Sequence, residues 1–537
     1  MVGTMAASIT THHREAAVAF DEVPYDSKPF SQTNPLLLQG IGRLFGLTAP
    51  SPYTARILEI GCATGSNILA IASLYPESRC IGIDYSERQI KIGRNKLEAQ
   101  GITNLDLRHM SIMDITPDFG TFDYIICHGI ISWVPKEVQK KVFEVCKTNL
   151  SQSGIAYISH NTLPGWSVVG VVRDMMLYHT SSIKDLGTKA QQARHILKFA
   201  GDAMRQSENS MAPVINKEIE YVSKHPDYYL LQDHLAECND AWYFHEFVEY
   251  AKSYGLQYLA DICLEIMFSD NLPPAISQSL PGGNDFIRRQ QYIDFICNRR
   301  FRTSLLCHDK HALNFKISAE MLREGWLVSK FTYPEGFRDH DIKSGQVLEF
   351  RSLVSDLAMT TGDPIFLAML QIFMEQNNAP IGIADLTGQV RNKLNKLRLA
   401  FNEESLEKTL SLYVMRYIFT RGILFYLEKP PFISTVSEKP EVSSLARYQS
   451  LRQNWVTNQM MENLEQLPFT KILMRYVDGA RTRESLNHAM LSHFVSGELV
   501  FNENAGTANN QTALADKVRT RVEECLKDFG SLGLLVQ

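Results

Sequence analysis

Glu59, Gly61, Gly65 and Asn67 fall within the segment Arg56-Ile-Leu-Glu-Ile-Gly-Cys-Ala-Thr-Gly-Ser-Asn67, and a second apolar run, Cys80-Ile-Gly-Ile-Asp84, ends in an acid. Ile57, Leu58 and Ile60 read as a buried strand, and Gly61 to Gly65 as a tight turn into a helix. Two parallel strands that end this way suit a nucleotide-like ligand laid across their carboxyl ends, the acid accepting from ribose hydroxyls. The pattern Gly-x-x-x-Gly departs from the dinucleotide fingerprint Gly-x-Gly-x-x-Gly. With Glu59 two residues ahead of the first glycine, the loop suits S-adenosylmethionine (SAM) better than a pyrophosphate. An ordinary strand–turn–helix of an α/β core would account for Gly61 but not for the register of acid, glycines and acid.

Further candidates lie at the ends of the next strands. Ser111-Ile-Met-Asp114 follows the third strand, where a SAM-binding sheet covers the adenine. The Ser111 hydroxyl can reach an adenine nitrogen, Ile112 and Met113 can flank the ring, and Asp114 either replaces a missing acid or caps the turn. The fourth strand ends in Cys127-His-Gly-Ile-Ile-Ser-Trp-Val-Pro135, where methyl acceptors usually sit. It lacks Asn/Asp-Pro-Pro-Tyr/Phe and Pro-Cys, which argues against methylation of exocyclic base amines or of cytosine carbon-5. His128 reads equally as a histidine satisfied by local backbone or as a functional group, and Trp133 is a candidate wall. The fifth strand runs into a second loop at the same sheet edge, His160-Asn-Thr-Leu-Pro-Gly-Trp166. The expected donor contacts are Phe30, Glu59, Gly61, Cys62, Gly65, Asn67, Asp84, Tyr85, Gln89, Ser111, Ile112, Met113 and His128.

These loops require a scaffold of alternating strands and helices. Strands are expected at Ile57–Ile60, Cys80–Ile83, Leu105–His109, Phe122–Cys127 and Gly154–Ser159, with helices between them, including one capped by Ser86. That alternation predicts a doubly wound α/β sheet. Leu256–Ala260 and Phe301–Cys307 supply the last two of seven strands. Residues 181–240 are polar, helical and free of strand-like runs, and read as an insertion within the first domain. The expected domains are thus a discontinuous core (1–180 and 241–310), the insertion, a middle domain (311–430) and a C-terminal domain (440–537). The latter two have winged-helix-like layouts on either side of a linker, Glu428–Glu441.

The 537 residues carry a net charge of −5, which supplies no global attraction to phosphate backbones, so nucleic acid is not expected as a partner. Nine cysteines without a C-x-x-C pair read as scattered buried thiols in a reducing compartment. Cys307, His308 and His311 lack spaced partners, and no metal site is expected. Neither a signal-peptide core nor a membrane-length apolar run is present, which predicts a cytoplasmic protein without membrane insertion.

Several segments together resemble one family. They are Phe20-Asp-x-x-Pro-Tyr-x-Ser-x-Pro-Phe-x-x-Thr33, Glu59–Asn67, His160–Trp166, Arg173-Asp-Met-Met-Leu-Tyr-His179, His245–Ala260 and Arg289–Cys307, above all Arg300-Phe-Arg-x-Ser-Leu-Leu-Cys307. The chain is similar to bacterial class I SAM methyltransferases with a methyltransferase regulatory domain. Within them it resembles rickettsial protein lysine methyltransferases that act on outer membrane protein B. The resemblance implies SAM as methyl donor, S-adenosylhomocysteine as product, lysine ε-amines of an outer membrane protein as acceptors, and a homodimer built on the helical insertion. It points to Tyr25, Trp133 and Trp166 as aromatic walls and to His128 or Asn161 as the group orienting the amine. Phe20 replaces a frequent tyrosine, Ala63 a frequent glycine and Ser111 a usual acid. A small-molecule amine, an RNA, or a catalytically silent SAM sensor are the alternatives that remain.

Overall fold

The computed structural model describes residues 27–269, 272–322, 324–354, 358–501 and 511–536; Phe20 and Tyr25 lie outside them. The central sheet is built from β1 (Arg56–Ile60), β2 (Arg79–Asp84), β3 (Leu105–His109), β4 (Phe122–Cys127), β5 (Leu150–Thr162), β6 (Ala241–Trp242), β7 (Leu256–Asp261) and β8 (Phe301–His308). Its order is β3-β2-β1-β4-β5-β8-β7, with the short β6 beside the end of β5. Neighbours from β3 to β5 run parallel, whereas β8 runs antiparallel to both β5 and β7. This is the Rossmann-like seven-strand path expected from the sequence. Burial explains it: Ile57, Leu58 and Ile60 of β1 and Tyr124 to Cys127 of β4 are buried on both faces of the sheet, and helices supply the cover.

Local signals set the ends of the helices that matter. Asn34 caps Pro35–Leu44 by accepting from Leu36 N, and the Ser86 hydroxyl caps Glu87–Gln100 by accepting from Gln89 N at 3.1 Å. Gly101, at φ 66°, ends the second of these helices in the left-handed conformation that glycine adopts freely.

The helical segment has a core of its own, including Ala193, Leu197, Ile219, Val222 and Leu230. That core also takes Val172 and Met176 from helix Trp166–Thr180, which packs against the segment from the preceding part of the chain. Further along, β9 (Trp326–Ser329), β13 (Ile381–Gly382) and β14 (Ile423–Tyr426) form a small sheet flanked by helices Ile383–Leu397 and Glu403–Phe419. A second small sheet of β10 (Phe331–Thr332), β11 (Leu348–Ser352) and β12 (Ala358–Thr361) was not anticipated.

The segment read as a linker is docked at both ends. Glu428 accepts from Gln39 Nε2 at 2.7 Å and from Ser51 Oγ at 2.8 Å. Ile433 and Val442 each bridge Leu535. Those bridges close the C-terminal core of Val442, Leu473, Leu486, Val522 and Leu526, among others. That domain also holds an unforeseen hairpin of β15 (Trp455–Thr457) and β16 (Asn463–Glu465).

Candidate functional site

The donor loop is held by hydrogen bonds that begin and end in its own motif. Gly61 N and Cys62 N both donate to the Ile83 carbonyl, joining the turn to the end of β2. Gly61 and Gly65 have φ of 70° and 73°, and a Cβ on Gly61 would lie 2.3 Å from Ile130 Cδ1. Ala63 stands in the left-handed region as well, at φ 51°, a strained conformation for alanine. Asp84 Oδ2 accepts from Ala63 N at 2.8 Å and Oδ1 from Ser86 N at 2.8 Å, so the acid that ends β2 also fixes the turn after β1.

Asn67 is the hub. Its Nδ2 donates to Glu59 Oε1 at 2.8 Å, and its Oδ1 accepts from Phe30 N at 2.9 Å and from Thr33 Oγ1 at 3.0 Å. Glu59 is buried, and burial pushes its carboxyl up to about 8 while the Asn67 hydrogen bond opposes the rise. Glu59 Oε2 is left buried without a hydrogen-bond partner, as is Gln89 Oε1 on the helix after β2. Two buried acceptors without partners suit a ligand that brings an ammonium and hydroxyl or amine hydrogens, which the donor does. Of the remaining expected contacts, Tyr85 and Met113 are exposed. Ser111 accepts from Met113 N at 3.2 Å and so caps its own turn, while Asp114 is exposed at the end of that turn.

The acceptor candidates fall into two groups. In the first, His128 packs 4.1 Å from the Phe30 ring and 6.3 Å from Phe301, centroid to centroid, and its Nδ1 lies 2.9 Å from Tyr157 Oη. Burial depresses the imidazole to about 4, so the ring is neutral at pH 7 and is not merely satisfied by local backbone. The Gln32 side chain hydrogen-bonds Tyr157, and Gly129 N donates to Ser159 Oγ at 2.7 Å, which together fix the turn after β4.

In the second group, Trp133 and Trp166 meet edge to face at 5.8 Å. Trp166 Nε1 donates to Asn239 Oδ1 at 2.7 Å, and His234 lies parallel to the Trp166 ring at 6.5 Å. Asn161 is buried and donates its backbone N–H to Ser132 Oγ at 2.9 Å. Asn161 Nδ2, Asn239 Nδ2 and both ring nitrogens of His234 are buried without hydrogen-bond partners. Tyr25, the third expected wall, lies outside the described residues.

Sequence reasoning missed Gln32, Thr33, Tyr157, His234, Asn239 and Phe301. Tyr157 had a legible signal, since β5 must lie beside β4 and so brings its residues against the end of that strand, and Thr33 and Phe301 stood within motifs already singled out. The motif Arg300–Cys307 turns out to be structural in its middle. Arg302 is fully buried, binds Asp294 through Nε and Nη2 at 2.8 Å each, and lies 3.8 Å from the Phe244 ring centroid. Thr303 Oγ1 donates to Asp261 Oδ1 at 2.6 Å, tying β8 to β7. His308 and His311 reach the carbonyls of Leu150 and Gln152. Of the nine cysteines, Cys297 is exposed and Cys238 and Cys263 are half-buried, so the reading of uniformly buried thiols holds for six.

Comparison with known proteins accounts for most of the chain. A model described as "Methyltransferase domain" matches residues 57–154, "Predicted methyltransferase regulatory domain" residues 226–308, and "PKMT, C-terminal winged helix domain" residues 438–534. Protein RP789 of Rickettsia prowazekii is 37% identical over 522 residues, covering 96% of this chain and 93% of its own length. Protein RP028 of the same organism is 43% identical over 235 residues, 44% of this chain and 94% of its own. The structure of PKMT2 from Rickettsia typhi superposes with a TM-score of 0.85 at 33% identity, covering 96% of this chain and all of the other. The complex of PKMT2 with AdoHcy superposes equally well. The methyl donor is SAM and the product S-adenosylhomocysteine. Donor loop, sheet order and these matches place the chain in the class I SAM-dependent methyltransferase family to which the rickettsial PKMTs belong.

Proposed function

We propose that the protein is a SAM-dependent protein lysine N-methyltransferase that modifies lysine ε-amines of an outer membrane protein, working as a cytoplasmic homodimer. The observation that carries this reading is the neutral imidazole of His128, held by Tyr157 in a recess walled by Phe30 and Phe301 beside the donor loop. A lysine near its ordinary pKa of 10.4 must lose about 3.4 pH units, ~4.6 kcal/mol, to attack as a free amine at pH 7. An apolar aromatic recess with an uncharged imidazole disfavours the ammonium and lowers that cost.

Glu59, Gly61, Cys62, Gly65, Asn67, Asp84, Gln89 and Phe30 hold the donor, which when bound supplies a sulfonium methyl group. With the imidazole proton on Nδ1 and donated to Tyr157, Nε2 accepts one N–H of the incoming amine and aims its lone pair. The bound donor would supply the methyl to that lone pair and keep the C–S electron pair on sulfur, and the amine's surplus proton would leave to water. Trp133, Trp166 and Asn161 line the approach of the lysine stem. Tyr178, Phe199 and Val171 of the helical unit are 87%, 65% and 51% exposed, which supports that unit as the dimer contact. Domain limits of 1–180 with 241–310, 181–240, 311–430 and 440–537 belong to the same proposal. None of the described helices is long and apolar enough to cross a membrane.

Methyl-labelled SAM incubated separately with outer membrane protein fragments, bulk RNA and a polyamine pool tests the reading. Label on lysines of the protein fragments is expected; label confined to RNA or polyamine, or none with SAM still bound, would sink it.

A further inference from the structure

One segment, residues 27–34, touches both the donor hub at Asn67 and the His128–Tyr157 pair. Phe30 N and Thr33 Oγ1 donate to Asn67, the Phe30 ring lies on His128, and Gln32 reaches Tyr157. Inside the strap, the Ser31–Thr33 turn is a single 3-10 turn without a side-chain cap, closed by Thr33 N and Oγ1 on the Phe30 carbonyl. Its outer side is held by a different domain. Asn463 Nδ2, on β16, donates to the Pro29 carbonyl at 2.8 Å, across 434 positions of chain. The Lys28 ammonium sits 5.1 Å from the centroid of Trp455 on β15.

The hairpin is anchored in turn. Gln459 N donates to Gly533 O at 2.8 Å and Asn458 Nδ2 to Leu532 O at 2.9 Å, so its tip is pinned to the end of the last helix. Between strap, middle domain and hairpin lies a cavity of about 50 Å³ lined by Ser31, Gln32, Ile262, Ile418, Met460 and Glu462.

We propose that Asn463 is a positioning residue for the methyl donor. Through the Pro29 carbonyl it holds the strap against Asn67, so the C-terminal domain sets donor affinity. This rests on the reading that Phe30 and Asn67 belong to the donor site.

Asn463→Asp in the full chain is the decisive variant. It keeps Oδ1 as acceptor for Thr457 Oγ1, now 3.2 Å away, and faces Pro29 O with an oxygen instead of a donor. Titration calorimetry with S-adenosylhomocysteine is expected to show binding weakened about fivefold, the ~1 kcal/mol of one hydrogen bond. Hydrogen exchange should quicken in the peptide covering residues 27–37, with the melting temperature of the free protein unchanged. Glu465→Gln on the same hairpin should bind as the parent does. Parental affinity in Asn463→Asp, or weakened affinity with unchanged exchange in the strap, overturns the proposal. If Asn67→Ala also binds like the parent, the donor-site assignment itself has failed.

Discussion

The donor side and the acceptor side share one edge of one sheet and are built on opposite plans. On the donor side, Gly61, Ala63, Gly65, Asn67 and Asp84 are joined by hydrogen bonds between neighbours on two adjacent strands. On the acceptor side, Trp133, Asn161, Trp166, His234 and Asn239 come from three separated stretches of chain and leave several buried polar atoms without partners. The donor network is closed except at Glu59 Oε2 and Gln89 Oε1, two fixed acceptors left for a ligand that never changes. An unsatisfied, aromatic one accommodates a substrate that arrives with its own donors and acceptors. The difference teaches that donor binding and methyl transfer can be damaged separately.

The largest effect is expected at the hub. Asn67→Ala strands Phe30 N–H, Thr33 and Glu59 together and should weaken S-adenosylhomocysteine binding about 100-fold, ~2.7 kcal/mol. Calorimetry that finds unchanged affinity would break the comparison on its donor side.

His128→Ala should do the converse. Turnover at saturating SAM falls about 30-fold through loss of amine alignment, while S-adenosylhomocysteine affinity stays within about twofold. Full turnover in that variant removes His128 from the chemistry.

Acidity sharpens the picture. The Glu59 carboxyl is raised from 4.5 to about 8 by burial, so the donor-free protein holds its proton where the unfolded chain has lost it. The stability it contributes is therefore full below about pH 4.5 and is lost as pH rises to about 8. A donor ammonium prefers the ionised form, so S-adenosylhomocysteine affinity should rise up to about tenfold from pH 6.5 to pH 7.5. Glu59→Gln should flatten that dependence; a parental slope in the variant would assign the titration elsewhere.

The smallest effect belongs to Ala63→Gly. Relieving a left-handed alanine at φ 51° should stabilise by ~0.5–1 kcal/mol and raise the melting temperature about 1–3 °C, with donor affinity unchanged. A lower melting temperature would mean that the turn is not strained.

Strands β1 to β5, the Ser86 cap and the donor loop were legible because each is written in consecutive residues. An apolar run, a glycine where a Cβ would clash with Ile130, and an acid at a strand end are local facts. The hairpin β15–β16 was not legible, being two runs of three residues each with no strong alternation. The packing of the preceding helix on the helical segment was not legible either. Nothing in Trp166–Thr180 distinguishes a residue packed on the sheet from one packed, like Val172 and Met176, on later helices. His128 was left undecided between two readings, because its environment depends on Phe30 and Tyr157 arriving from elsewhere.

Taken by itself, the sequence determined the donor: the turn geometry, the acid at each strand end and the asparagine eight residues beyond Glu59 act over distances the backbone itself spans. Tertiary structure decided what surrounds it. The Trp133–Trp166 pair, the Asn239 bond and the Asn463 contact with Pro29 join residues up to 434 positions apart. Such pairs carry no periodicity and no spacing rule; they exist only once packing of three separate cores has brought their elements together.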